Sequence, residues 1–206
     1  MNTEQISILQ NKFHVKGRIV SERPGKTENI VILTLIVKDY TDIFPEIRCK
    51  KAMLDGIKNH TILDVSGYIM SIRGIPRLYA TEVSQAMPLL EKTFGIKGRF
   101  WEPKSCYYYI IGIIEKIKED DQGNHPYIRY FIRTEVPDAY NQTSIRIDWR
   151  KIDRHPEFSP GDKICAVCKI HTPSKKIGTE TRHFMNLDVF DMNKIDDTAE
   201  STKPGC

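Results

Sequence analysis

The chain has 206 residues, of which 40% are hydrophobic and 28% are charged, and this balance excludes an intrinsically disordered protein. Its 31 basic and 27 acidic side chains leave a formal net charge of +4, which excludes a partner held by bulk charge alone. At about 100–200 residues per domain, the length accommodates one large domain or two small ones.

The lack of a recognisable targeting segment and the cysteine content together predict a cytoplasmic protein. The longest apolar run, residues 30–37, is far shorter than the roughly 20 residues that a membrane helix needs. The first residues show neither the basic nor the apolar segment of a secretion signal. The five cysteines are an odd number spread along the chain, which is typical of a reducing compartment. We therefore expect a cytoplasmic location and no membrane partner.

Strand-forming residues occur in ten runs that fall into two sets of five. The first set is residues 12–20, 29–38, 46–50, 62–72 and 77–83, and the second is residues 107–117, 127–134, 143–151, 163–171 and 182–192. Between the third and fourth runs of the first set, residues 51–59 predict a short helix. The matching gap, residues 152–162, contains Pro156, Pro160 and Gly161, which predict a loop or one helical turn.

The two sets of strands resemble each other, which indicates a diverged duplication. Residues 17–19 and 112–114 each place a glycine in the first strand, with an offset of 112 − 17 = 95. Residues 81–83 and 187–189 end the two sets, with an offset of 187 − 81 = 106. The predicted domains are an N-terminal barrel at 1–90, a linker at 91–105, a C-terminal barrel at 106–193 and a flexible tail at 194–206.

Five strands with a short helix between the third and fourth is the order of an OB-fold, a small Greek-key barrel. The predicted fold class is therefore all-β, with two tandem five-stranded OB-fold barrels and one or two short helices. In this fold the second and third strands, with the loops around them, are where oligonucleotides commonly bind.

The first 90 residues resemble the bacterial and phage single-stranded DNA-binding proteins (SSBs). The resemblance lies in four segments: NKFHVKGRI at 11–19, FPEIRC at 44–49 followed by AML at 52–54, ILDVSGYI at 62–69, and RLYATEV at 77–83. In the second half only the strand layout is similar. The resemblance implies non-enzymatic, sequence-tolerant binding of single-stranded DNA during replication, recombination or DNA transfer, with a base-stacking aromatic near Phe44. It also implies a homodimer and replication or recombination proteins as partners.

Binding a single strand requires cations along the phosphates and flat side chains on which bases stack. The clearest pattern lies in one predicted strand, where alternation puts Tyr127, Arg129, Phe131 and Arg133 on one face and apolar residues on the other. The alternative interpretation is a solvated strand with incidental arginines.

Further nucleic-acid contacts are assigned to basic and aromatic residues on the outer faces and loops of both sets. They are Lys16, Arg18, Lys38, Tyr40, Phe44, Arg48, Lys50, Arg73, Arg77, Tyr79, Arg146, Trp149 and Arg150. Trp149 alternates with Ile145 and Ile147, so its assignment requires a β-bulge, and a core position is the alternative.

No arrangement of residues indicates catalysis, a metal or a cofactor. Cys165 and Cys168 have metal-like spacing, but a structural zinc site needs four ligands and no second pair is present. On a strand, positions i and i+3 point to opposite faces, so we expect two ordinary buried cysteines. Histidine metal motifs, a P-loop, a GxSxG elbow and a dinucleotide fingerprint are all missing from the sequence.

Two other functions remain open at this point. One is an accessory protein of replication restart or conjugation whose OB-folds dock proteins, and nanomolar binding to oligo-dT would argue against it. The other is an RNA-binding OB module, which competition between poly-dT and poly-U would separate from a DNA-binding protein.

Overall fold

The computed structural model describes residues 10–37, 43–58, 61–86, 106–120, 126–136, 139–150, 156–178 and 180–195. Its strands are β1 (Gln10–Pro24), β2 (Ile30–Ile36), β3 (Glu46–Lys50), β4 (Ile62–Ile72), β5 (Ile75–Gln85), β6 (Cys106–Asp120), β7 (Tyr127–Val136), β8 (Ala139–Arg150), β9 (Lys163–His171), β10 (Ser174–Ile177), β11 (Glu180–His183) and β12 (Asn186–Lys194). In this part of the chain, no helix is long and apolar enough to cross a membrane.

The strands form two five-stranded barrels, and the predicted fold class is confirmed. Ten strands share one sheet in the order β2-β3-β5-β4-β1-β6-β7-β8-β12-β9. A pairing of β1 with β2 closes the first barrel, and a pairing of β6 with β9 closes the second. In both barrels the third strand pairs in parallel with the last one, β3 with β5 and β8 with β12. Alternating side chains fill each interior, as a small barrel requires.

The barrels are joined through their first strands, which the sequence did not indicate. β1 and β6 pair antiparallel, and Phe13 lies opposite Tyr108 at the middle of the ladder. Both side chains are fully buried in a core cluster that spans the two barrels. These two residues are also 108 − 13 = 95 positions apart, the offset of the duplicated glycines. The two duplicated barrels are therefore related by an approximate twofold axis that passes between Phe13 and Tyr108.

The glycines that first indicated a duplication occupy equivalent positions. A Cβ atom on Gly17 would lie 2.8 Å from the Ile36 carbonyl oxygen, and one on Gly112 would lie 2.5 Å from the Arg133 carbonyl oxygen. Both distances are too short for a side chain, so each glycine permits the close strand crossing that closes its barrel. A bulge follows each glycine at the same distance, between 19 and 21 in β1 and between 114 and 116 in β6.

The sequence analysis treated residues 81–83 and 187–189 as equivalent ends of the two sets of strands, and this equivalence is wrong by three positions. Leu78 of β5 pairs with Ile69, and Leu187 of β12 pairs with Ile170. All four side chains are buried in corresponding strands, so Leu187 corresponds to Leu78 and not to Thr81. The correct offset is 187 − 78 = 109, and the bulged residues of the two strands, Thr81 in β5 and Phe190 in β12, are separated by the same number.

Three local predictions also differ from the structure. The predicted last strand is broken, because β11 pairs with β10 in a separate hairpin and β12 begins after it. The predicted first helix is a single 3₁₀ turn, Lys51–Leu54. Cys168 is buried, but Cys165 is exposed, as the alternation of β9 requires. The predicted linker and residues 196–206 of the predicted tail lie outside the described residues, and the predicted domain limits stay a prediction.

Asn11 connects the two barrels through hydrogen bonds, of which those to Ile69 are buried and the one to Glu135 is partly buried. Its Nδ2 donates to the carbonyl oxygens of Ile69 in β4, at 2.7 Å, and Glu135 in β7, at 3.1 Å. Its Oδ1 accepts from the Ile69 amide at 2.9 Å. Asn11→Leu is expected to lower the free energy of unfolding by about 1–3 kcal/mol, because these buried groups lose their partner. Urea denaturation followed by circular dichroism measures the change.

The matched control for this variant is Asn193→Leu. Asn193 is exposed on β12, where its Nδ2 donates to Asp191 at 3.2 Å, so its replacement should change stability by less than about 0.5 kcal/mol. Equal effects of the two substitutions would contradict the role given to Asn11.

Candidate nucleic-acid interface

A groove opens on the outer face of β6, β7 and β8 in the second barrel. Alternation on β7 places Tyr127, Arg129, Phe131 and Arg133 on this face, half-buried, while Tyr130 and Ile132 point into the core. The face predicted from the sequence is therefore the one the structure forms. The groove has a volume of about 460 Å³ and is lined by Ser71, Gly74, Lys118, Arg129, Phe131, Gln142, Thr143, Ser144 and Arg146.

Phe131 is the flat apolar group of the groove, and cations surround it. The Lys118 ammonium lies 6.0 Å from the centre of the Phe131 ring. Arg146 of β8 is its directly opposite cross-strand neighbour, and Arg129 lies two positions away on the same face. A ring flanked by cations can stack on another planar group while the cations meet an anion.

Acidic side chains hold the arginines of the groove in place. Arg129 forms ion pairs with Asp120 at 2.5 Å and Asp148 at 3.8 Å, and Arg146 lies 3.3 Å from Asp148. Burial raises the pKa of Asp148, and the guanidinium groups of Arg146 and Arg129 act in the opposite direction. Among the described residues, the buried Nε atoms of Arg129 and Arg133 have no hydrogen-bond partner, and each lies 3.8 Å from a carboxylate oxygen, of Asp148 and Glu115 respectively. These ion pairs thus fix the direction of the guanidinium groups.

The first barrel supplies one wall of the groove through its β4–β5 hairpin. Arg73 and Gly74 form the two-residue turn, with φ of 54° and 75°, which is the backbone that a tight hairpin requires. The Ser71 amide donates to Thr143 Oγ1 of β8 at 3.0 Å, so the hairpin is docked on the second barrel. The Arg73 side chain is exposed at this turn.

A second cluster of aromatic and basic side chains lies on the outer face of β3, β5 and β4. We call it the tyrosine platform and define it as Arg48, Tyr68, Arg77 and Tyr79. The Tyr68 and Tyr79 rings stack at 5.5 Å between centroids with an interplanar angle of 10°, and Arg48 Cζ lies 5.8 Å from the Tyr79 centroid. Burial lowers the pKa of Arg48, and the charge of Arg77 lowers it further.

The sequence predicted three members of the platform, Arg48, Arg77 and Tyr79, and missed Tyr68; in the groove it missed Lys118. Tyr68 lies one position before the buried Ile69, so strand alternation could have placed it on the outer face.

Phe44 links the barrels rather than joining either cluster. Its ring lies 4.9 Å from that of His183, and its amide donates to Thr172 Oγ1 at 2.7 Å; both partners belong to the second half of the chain. Whether it also stacks on a base stays a prediction.

Other predicted residues lie apart from the two clusters or outside the described residues. Trp149 lies on the core side of β8, where its ring packs 6.5 Å from Tyr130 and 6.1 Å from Phe158, so the alternative core position is the one the structure shows. Lys16, Arg18, Lys50 and Arg150 project from the outer faces of β1, β3 and β8. Lys38 and Tyr40 lie outside the described residues.

No cluster of three or more histidine, cysteine, aspartate or glutamate residues that could hold a metal ion occurs within the described ranges. The chemistry that the two clusters offer is ring stacking and cation contact.

The sequence matches no family model and no curated protein. The solved structures that are similar over nearly their whole length include two of one protein. The wild-type single-stranded DNA-binding protein from Thermus aquaticus matches with a TM-score of 0.63 and 9% identity, covering 96% of this chain and 98% of that one. A deletion mutant of that protein matches with a TM-score of 0.59 and 12% identity, with the same coverage. The chain therefore shares its fold of OB barrels with that protein, which agrees with the resemblance found in its first 90 residues.

Proposed function

We propose that this chain is a non-enzymatic protein that binds single-stranded DNA with little sequence preference and protects it. The observation that carries the proposal is Phe131, a half-buried ring facing an open groove between Lys118 and Arg146. Every base has a flat face, so stacking on a ring tolerates all sequences, and cations follow the phosphates. The fold shared with the Thermus protein supports the same function.

The processes that such a protein serves are replication, recombination or DNA transfer. The homodimer, the replication or recombination partners and the cytoplasmic location that the SSB resemblance implies belong to the same proposal.

Salt dependence tests the electrostatic part of the proposal. If Lys118, Arg129 and Arg146 each neutralise one phosphate, log K for oligo-dT should fall with log salt concentration with a slope of about −2, from about −0.7 per phosphate on single strands. Anisotropy titrations of labelled oligo-dT with the full chain, at several salt concentrations, measure it. Competition with poly-U in the same assay reports the preference for DNA over RNA.

The matched lysine variants are Lys118→Ala and Lys194→Ala. Lys118→Ala should reduce the magnitude of the slope by about 0.7. Lys194 pairs with Asp162 at 2.8 Å and does not line the groove, so Lys194→Ala should leave the slope unchanged. Absence of binding to oligo-dT, or a slope near zero, would reject the proposed function.

A further inference from the structure

The two barrels carry their aromatic and basic side chains at different positions. In the second barrel Phe131 and Arg146 form a cross-strand pair just after the bulge in β6. The pair in the same place in the first barrel, just after the bulge in β1, is Thr34 and Glu46. Glu46 there accepts a hydrogen bond from Arg23 at 2.8 Å. The first barrel thus lacks a stacking ring where the second one has its groove.

The reverse holds for the tyrosine platform. Tyr68 and Tyr79 are directly opposite each other on β4 and β5. The pair in the same place in the second barrel is Lys169 and Asp188. Since a barrel of this kind forms with a charged pair at this position, the stacked ring pair is not a requirement of the fold.

The platform offers both kinds of contact that a single strand needs. Its two rings are parallel and half-buried, so their remaining surface faces solvent beside the guanidinium groups of Arg48 and Arg77. The charge of Arg77 disfavours that of Arg48, which an arriving phosphate would relieve.

The platform also lies close to the groove along one hairpin. Tyr68 precedes Ser71, a wall residue of the groove, by three positions on β4. At about 3.3 Å per residue, Tyr68 and Ser71 are roughly 10 Å apart along β4, but as positions i and i+3 they lie on opposite faces of it. A strand that contacts both sites must therefore pass around the β4–β5 hairpin, which requires an oligonucleotide longer than one that fills only the groove.

We propose that the tyrosine platform is a second subsite for single-stranded DNA, which leaves the groove across the β4–β5 hairpin and stacks on Tyr68 and Tyr79. This inference rests on the proposed function of the groove. The two barrels then bind one strand through different faces, and neither barrel alone holds the whole site.

The test is a length series of labelled oligo-dT, from about 4 to about 16 nucleotides, the usual range for one OB-fold. The full chain is compared with its Tyr68→Leu and Arg77→Ala variants. The shortest oligonucleotides that fill only the groove should bind all three proteins equally. The longest should bind Tyr68→Leu about tenfold more weakly, and Arg77→Ala should show a salt slope about 0.7 smaller in magnitude with the longest oligonucleotides only.

Controls separate this inference from the function on which it rests. Phe190→Ala, an exposed aromatic of β12 that does not line the groove, should bind every length as the wild type does. Phe131→Ala should lose affinity at every length. Equal affinity of the platform variants and wild type at all lengths, or an equal loss at short and long lengths, would overturn the second subsite alone. Failure of the wild type to bind any length would overturn the proposed function as well.

Discussion

Replacement of Phe131 by alanine is expected to weaken binding of single-stranded DNA by about 5- to 150-fold. A base stacked on an aromatic side chain contributes about 1–3 kcal/mol by alanine substitution, and 1.4 kcal/mol is a factor of ten in Kd. Phe131 faces the groove, so its truncation removes the stacking surface and leaves the guanidinium groups in place. Anisotropy with labelled oligo-dT at one fixed salt concentration measures the effect. The loss should exceed that of Lys118→Ala.

Two further variants make this expectation specific. Phe131→Tyr retains a flat ring and should therefore keep most of the wild-type affinity. If the ring served only the structure of the barrel, the affinity for DNA would not depend on the capacity of the ring to stack on a base. Phe190→Ala removes an aromatic side chain that is 67% exposed on β12 and should leave affinity unchanged. If Phe131→Ala and Phe190→Ala bind alike, the groove is not the binding site.

The strands and the face of β7 were predictable because they depend on local alternation. Arg129 and Phe131 lie on one side and Tyr130 and Ile132 on the other, since successive side chains on a strand must alternate. The same rule correctly places Trp149 on the core side of β8 and Arg146 on its outer face. Burial of one face fixes the parity, and no knowledge of distant strands is needed.

The junction of the barrels was not predictable, because it depends on contacts between distant parts of the chain. Phe13 and Tyr108 alternate with their neighbours as any buried strand residues do, and the pattern does not say which strand lies opposite. The docking of the β4–β5 hairpin on Thr143 is of the same kind. A groove with walls from both barrels therefore could not be assembled from the sequence.

Bulges and distant pairs concealed individual site residues. Lys118 faces the Phe131 ring because the bulge between Ile114 and Lys116 shifts the alternation of β6, and the apolar pattern does not mark that bulge. Tyr68 is half-buried on the outer face of β4, and its neighbours in the sequence are buried residues. Its part in the platform depends on ring stacking with Tyr79 on the next strand, which the local pattern does not show.

The modest net charge has a structural counterpart in the groove. Asp120 and Asp148 pair with Arg129, and Asp148 also lies near Arg146, so basic side chains are gathered without a large excess of charge. Such pairing fixes the direction of each guanidinium and lowers the purely electrostatic attraction. Stacking on Phe131 is then expected to contribute more to affinity than the net charge does.

Gly67→Ala is expected to lower the free energy of unfolding by about 3 kcal/mol or more. Gly67 lies at the bulge between β4 and β5, where it pairs with Ala80. A Cβ atom there would overlap the Tyr79 carbonyl oxygen and lie 2.9 Å from Ala80 Cα. All of these neighbours are backbone atoms, so β5 itself would have to move away. Urea denaturation and thermal melting of the full chain measure the loss.

The adjacent Ser66→Ala is the matched control, because it changes the same strand on its outer face. The Ser66 hydroxyl donates to Glu82 Oε2 at 2.9 Å in an exposed position, so its loss should change stability by less than about 1 kcal/mol. A displaced β5 would also separate Tyr79 from Tyr68, which Gly67 places side by side across the bulge. Whatever fraction of Gly67→Ala remains folded should therefore bind long oligo-dT more weakly than Ser66→Ala does. Equal stability of the two variants would show that β5 can move without lowering the free energy of unfolding. Position 67 would then not require a glycine for this reason.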